Sequence, residues 1–361
     1  MSKNTSVRRA GPMGRKVLAD IGNRLPKLET KMKKREEPRK SSTIVFGKSS
    51  LKRGGCTTAL PSPPKTKRAS FDLEELTFPP GVKDIDGNDT DPQLCPDLVV
   101  PIYTYLRHLE KEFSIPRHYL KGRSITPKMR CVLIDWLTEV HQRFTLVTET
   151  LHLTVSILDR FLSCPTANIK RKQLQLVGVS AMFIASKVED IYCPEIADFV
   201  YITDKSCSGQ EIRDMEKSIL KTLNFRVNSP LSIFFLRRCS KAGEVTRSQH
   251  NLAKYILELS LINYEIIHEA PSLQGAAALF LATKITSEDR ECWTPTQKYY
   301  SGYDQDDLRS CVKKLAIALC NVESSKFKAT YDKFALPSNL RVSLVPELKS
   351  VKLKMLAEGC F

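Results

Sequence analysis

Apolar positions along this chain recur at helical spacing from about Pro92 onward, and strand-type alternation is almost absent. Leu98, Ile102, Tyr105, Leu106 and Leu109 form one stripe, which predicts a first helix from about Pro92 to Phe113. After a turn at Lys121-Gly122, the periodicity predicts helices at about 127–143, 148–162, 170–187, 194–201 and 208–224. A break at Ser229-Pro230 precedes a second train at about 231–241, 247–266, 271–286, 293–300 and 304–320. The fold class is all-α. The densest segment is Met129 to Val140, which as a helix is apolar around roughly 260° of its circumference, against a stripe of little more than 100° for a surface helix. Only Asp135 and Glu139 mark a polar edge, and Arg130 falls within the apolar arc. Such a helix is either covered on two sides or keeps one apolar side for a partner.

The two trains read as copies of one five-helix unit. Gly178-Val-Ser-Ala-Met-Phe-Ile-Ala-Ser-Lys187 and Gly275-Ala-Ala-Ala-Leu-Phe-Leu-Ala-Thr-Lys284 match in register. Gly178, Ala181 and Ala185 correspond to Gly275, Ala278 and Ala282, small residues on one face where neighbouring helices approach closely. In-register likeness over ten positions favours duplication over chance similarity of two apolar helices.

Composition changes the picture in the N-terminal quarter. The net charge of +16 is concentrated in residues 1–69, which hold 19 Lys/Arg and 4 Asp/Glu, while residues 70–361 hold 37 and 36. Without apolar periodicity, residues 1–69 are expected to be a disordered basic tail, and residues 70–91 a linker broken by Pro79-Pro80-Gly81 and Asp86-Gly87-Asn88-Asp89. The expected domains are 1–91 tail and linker, 92–126 first helix and connection, 127–226 first repeat, 227–340 second repeat and 341–361 C-terminal tail. A near-neutral body argues against a nucleic-acid footprint. No run of 18 apolar residues exists to span a membrane. The eleven cysteines show no pairing logic and read as reduced thiols of a nuclear or cytosolic protein. No phosphate loop, zinc spacing or nucleophile elbow appears, so neither a catalytic residue, a metal nor a cofactor is expected.

Met129-Arg-Cys-Val-Leu-Ile-Asp-Trp-Leu137, Glu149-Thr-Leu-His-Leu153, Leu158-Asp-Arg-Phe-Leu162, Leu174-Gln-Leu-Val-Gly178 and Ala185-Ser-Lys-Val-Glu189 resemble the cyclin box in order and spacing. Phe235-Leu-Arg-Arg-Cys-Ser-Lys-Ala-Gly-Glu-Val245 and Gln249-His-Asn-Leu-Ala-Lys-Tyr255 resemble the second box of B-type (G2/mitotic) cyclins. The resemblance covers residues 92–340, with Cys131, Val132 and Val188 as small departures at apolar positions. It implies two tandem five-helix boxes preceded by an N-terminal helix. It further implies a regulatory subunit that binds and activates a mitotic-type cyclin-dependent kinase as a heterodimer and controls the G2/M transition.

The resemblance also assigns residues. It pairs Arg130 with Asp159; independently, an Arg in an apolar arc needs a carboxylate. Lys187 and Glu216, which spacing alone leaves as a helix-end lysine and a solvated glutamate, become kinase contacts, with Phe225 adding an apolar one. Met129, Val132, Leu133 and Trp136 share one stripe, which by default is core. However, Ile134 and Leu137 can serve the core on the opposite side, and Glu139 rims the stripe. The family docks Arg-x-Leu motifs of substrates and inhibitors on this patch, with Gln175 contributing a hydrogen bond. His250 and Lys254 share a helix face and, with Arg237, match a phosphate-binding pattern of B-type cyclins or form a scattered solvated surface.

In the tail, Arg15, Leu18, Ile21 and Asn23 resemble the extended destruction box read by the anaphase-promoting ubiquitin ligase, with Lys27, Lys31, Lys33 and Lys34 as candidate acceptors. Ser62-Pro63-Pro64-Lys65 resembles a cyclin-dependent kinase phosphosite, and residues 31–40 fit an import signal or no function. Location in nucleus and cytoplasm is the corresponding expectation. The rival readings are a cyclin-fold DNA-binding transcription factor, which would need a basic body and usually paired cysteines, an A-like or B3-like cyclin, and a scaffold that shares only the fold.

Overall fold

The computed structural model describes residues 78–361 apart from Asn88, Thr90 and residues 288–291. Among them are thirteen α-helices and no strand. Helix α1 (Pro96–Glu112) precedes a first repeat of α2 (Pro127–Arg143), α3 (Thr148–Ser163), α4 (Leu174–Glu189), α5 (Ile196–Ile202) and α6 (Gly209–Thr222). The second repeat is α7 (Ser232–Ala242), α8 (Arg247–Ile262), α9 (Pro271–Thr286), α10 (Pro295–Ser301) and α11 (Gln305–Cys320). Two helices absent from the sequence reading follow, α12 (Ala329–Phe334) and α13 (Val351–Glu358).

Local signals set the helix starts. Thr126 caps α2 ahead of Pro127. Reciprocal capping boxes open α6 (Ser208/Glu211), α8 (Thr246/Gln249), α10 (Thr294/Gln297) and α11 (Asp304/Asp307), each satisfying amides that the first turn leaves unbonded.

The duplicated glycines perform one function twice. A Cβ on Gly178 would sit 2.8 Å from Leu133 Cδ1, and one on Gly275 would sit 2.7 Å from the Ser232 carbonyl oxygen. Each lets the first helix of its repeat cross the third at close range, and α4 and α9 are the buried centres. The clash at Gly275 is with backbone, at Gly178 only with a side chain.

Two terminal expectations are corrected. Residues 79–87 and Asp89 are not free linker. Asp86 accepts from Arg238 Nη1 and Nη2 at 2.6 and 2.5 Å and from Lys241 at 3.0 Å. The Lys83 amide donates to Thr296 and the Ile85 amide to Tyr300. Arg238 is itself sandwiched over the rings of Tyr103 and Tyr300. At the other end, residues 341–361 are not a tail: α13 buries Leu353 and Leu356 and packs along α11. The destruction box, Ser62 and residues 31–40 lie outside the described residues.

The repeats interlock. The amide of Leu120 donates to the Tyr264 hydroxyl at 2.8 Å, Ser156 and Ser229 share a hydroxyl bond at 2.6 Å, and Ala329 N donates to Asp135 Oδ1 at 3.0 Å. Arg160 donates to the carbonyls of Arg226 and Val227, clamping the connection between the repeats.

Candidate functional site

Arg130 has no solvent exposure, and Asp159 almost none. Arg130 Nε and Nη2 each donate to an Asp159 oxygen at 2.6 Å, the bidentate geometry a guanidinium favours. Its Nη1 donates to the Ile262 carbonyl at 3.2 Å, and Tyr119 Oη donates to Asp159 Oδ1 at 2.7 Å. The charge that looked misplaced in the apolar arc of α2 thus makes three hydrogen bonds, two to Asp159 and one to the second repeat. The Asp159 charge, with the bonds it accepts, pushes the Arg130 pKa up and outweighs the cost of burial.

The apolar stripe of α2 is not a spare face. Val132, Leu133 and Trp136 are buried, Leu133 against Gly178. Gln175 is buried too and accepts from Ser206 Oγ at 3.2 Å. Only Met129, half-buried, and Glu139, exposed, keep access to solvent. The close crossing of α2 over α4 consumes the stripe. What remains beside it is acidic: although the Glu139 side chain is exposed overall, the protein packed around its carboxyl, then the charge of Asp332, pushes that group up. Asp135 is pushed up to about 7, by burial first and also by Glu139 and Asp332, against the lowering effect of the Ala329 amide.

The surface at the ends of α4 and α6 has the opposite character. Lys187 Nζ donates to Glu216 Oε1 and lies 4.1 Å from the centre of the Phe183 ring. Just past α4, Ile191 and Tyr192 are 92% and 88% exposed, and Val188 is exposed beside them. Phe225, past α6, is 68% exposed. It lines a pocket of about 230 Å³ with Tyr105 and Leu109 of α1. Helix α1 docks through Tyr103, whose hydroxyl donates to the Phe234 carbonyl, and through Glu110, which accepts from Ser272 N and Oγ. It therefore leaves Leu98, Ile102 and Tyr105 in solvent. Large apolar side chains exposed in this number, Val188, Ile191 and Tyr192 following Lys187 and Phe225 beside α1, mark an interaction surface. Ile191, Tyr192 and the outward stripe of α1 were missed in the sequence because they lie beyond a helix end or read as core spacing.

Arg237, His250 and Lys254 come within electrostatic reach of one another where α3, α7 and α8 meet. Arg237 is ion-paired with Glu149 of α3, and His250 Nδ1 lies 2.8 Å from Ser240 Oγ. Burial, then Lys254 and Arg237, pushes the His250 pKa down; burial, and then Lys333 and Arg237 against Glu258, does the same to Lys254. These cations repel one another, and a carboxylate already occupies Arg237. Among the described residues no group of three or more metal-ligating side chains converges, and no helix is long and apolar enough to cross a membrane.

Residues 101–228 match the family model of the cyclin N-terminal domain, and residues 230–348 that of the cyclin C-terminal domain. A G2/mitotic-specific cyclin-B2 of Gallus gallus is 47% identical over 76% of this chain and 69% of its own length. One from Anguilla japonica is 39% identical over 98% and 96%. The G2/mitotic-specific cyclin-B of Patella vulgata is 48% identical over 74% of this chain, a match spanning 65% of that relative. Among solved structures, the viral cyclin from herpesvirus saimiri shares the fold with a TM-score of 0.52 at 21% identity, covering 60% of this chain and 96% of that one. With both domains matched in tandem and the likeness to mitotic relatives running through them, the chain belongs to the cyclin family, among its B-type members.

Proposed function

We propose that this cyclin binds a mitotic-type cyclin-dependent kinase through the Lys187–Glu216 face, activates it, and so controls the G2/M transition. The observation that carries this reading is the uncovered apolar surface of Val188, Ile191, Tyr192 and Phe225 around a charged pair on rigid helix ends. A partner helix laid there would bury the apolar side chains and exchange the Lys187–Glu216 contact for contacts of its own. The protein does no chemistry; its effect on the kinase comes from the shape it imposes on binding. Three attachments extend the reading. Arg-x-Leu peptides dock at the acidic rim of α2, the cation meeting Glu139 and the leucine reaching Met129. Phosphorylated partners engage Arg237, His250 and Lys254. Arg15, Leu18, Ile21 and Asn23 mark the chain for ubiquitination by the anaphase-promoting ligase.

Lys187→Ala with Glu216→Ala tests the core claim. The pair is partly exposed and contributes little to stability, so the double variant keeps the helical circular dichroism of the parent. It is expected to lose co-elution with the monomeric kinase and the histone phosphorylation gained on mixing. Co-elution at parental affinity would overturn the assignment.

A further inference from the structure

The duplication allows the kinase-facing surface of the first box to be located on the second. The capping residues Ser208 and Asp304 align α6 with α11, and the core-facing residues follow: Ile212 with Leu308, Met215 with Cys311, Ile219 with Leu315. In this register Glu216 corresponds to Val312 and Leu220 to Ala316. Glu216 and Leu220 are only partly covered, whereas Val312 and Ala316 are fully buried.

Helix α13 supplies the cover. It runs antiparallel to α11: Arg309 stacks on Phe361, Lys313 Nζ donates to the Glu358 carbonyl at 3.1 Å, and Leu353 and Leu356 enter the core. Its first turn reaches the end of α9, where Lys352 Nζ donates to the Ser287 carbonyl at 2.9 Å. Ser287 caps α9 three residues after Lys284, the counterpart of Lys187, as Asp190 caps α4 three residues after Lys187. Of the first box's polar pair the lysine is kept as Lys284, but Glu216 is replaced by the buried Val312, which suits a resident helix.

We propose that residues 351–358 are a built-in occupant of the second box's counterpart of the kinase-docking face, and that this face takes the same segment of a second copy when its own is displaced. The ligand class is a short amphipathic helix with leucines three apart and flanking lysines, as in Lys352-Leu353-Lys354-Met355-Leu356. The comparison of faces rests on the docking role proposed above for the first box; helix capture by the second box does not.

The test uses the full chain carrying Leu353→Asp and Leu356→Asp, which ejects α13, and a fluorescent peptide of native residues 350–361. The unaltered chain holds its own helix at an effective concentration on the order of millimolar and outcompetes added peptide. The variant is expected to bind the peptide at least about tenfold tighter than the unaltered chain does, and a peptide bearing the same two substitutions is expected not to bind. A second variant, Lys313→Ala with Lys352→Ala, leaves every buried side chain in place and is expected to bind with intermediate affinity. Equal binding by all three chains, or none by either variant, overturns the proposal. Kinase co-elution, measured separately on the Lys187/Glu216 variant, reports on the first box alone: retention there would overturn the docking reading and leave the peptide result standing.

Discussion

Asp159→Ala removes both acceptors of the Arg130 fork and the acceptor of the Tyr119 hydroxyl at once. Arg130 keeps a single bond, to the Ile262 carbonyl, in a site that water does not reach. Stranding one member of a buried ion pair costs about 3–5 kcal/mol, and the orphaned tyrosine adds about 1 kcal/mol. A loss of about 4–6 kcal/mol is a large share of the 5–15 kcal/mol that ordinary proteins possess. At about 2–4 °C per kcal/mol for a folded body of this size, the melting temperature falls by roughly 10–20 °C. Thermal unfolding followed by circular dichroism at 222 nm reads the shift. The cost comes from an uncompensated charge rather than from lost attraction. The double variant Arg130→Met with Asp159→Leu, which buries no charge, should therefore recover most of it. An unchanged melting temperature for the single variant, or a double variant no more stable than the single, would refute the reasoning.

Glu149→Gln frees Arg237 from its resident carboxylate and is expected to tighten binding of a phosphoserine peptide about two- to fivefold, on the scale of a partly exposed ion pair. Because His250 is held below its ordinary range, phosphate binding takes up a proton, and affinity should rise as pH falls from 8 to 6; fluorescence anisotropy showing neither effect removes Arg237 and His250 from the pocket. Asp135, ordinarily near 3.8 and here about 7, binds its proton more tightly folded than unfolded. Its contribution to folding is therefore full below about pH 4 and is lost progressively as pH rises to about 7, at most about 4 kcal/mol. Asp135→Asn should flatten that slope in urea midpoints at pH 5 and 7.5, and an unaltered slope would locate the titration elsewhere.

Most of the architecture was legible because it is written in local terms. Helices α2, α6, α8, α10 and α11 begin at capping signals, apolar spacing marks the others, and the duplicated glycine helices announced where close crossings occur. Arg130 was legible for a different reason: a guanidinium in an apolar arc demands a carboxylate wherever the fold can bring one. What escaped was what depends on distance along the chain. Asp86 reads as a turn residue until Arg238, 152 positions away, closes on it. Helix α13 is short and alternates lysine with apolar residues, so nothing in it separates a docked helix from a tail. Spacing shows which residues of α2 share a face but not what covers that face; at Leu133 it is α4. Ile191 and Tyr192 follow a helix end, where periodicity has stopped carrying information.

The contact between Arg130 and Ile262 also has an order in time. On the ribosome Arg130 emerges 132 residues before the carbonyl it needs, and the Leu120 amide waits 144 residues for Tyr264. At about 5–20 residues per second, that interval is roughly 7–29 s. Asp159, only 29 residues behind, can neutralise the guanidinium early, but the first box cannot complete its own interior until α8 has been made. Nascent chains ending at Arg226 should thus be cut by protease where chains ending at Ala335 resist. Two boxes of repeated design thus share one completion step, in which the first half waits for the second.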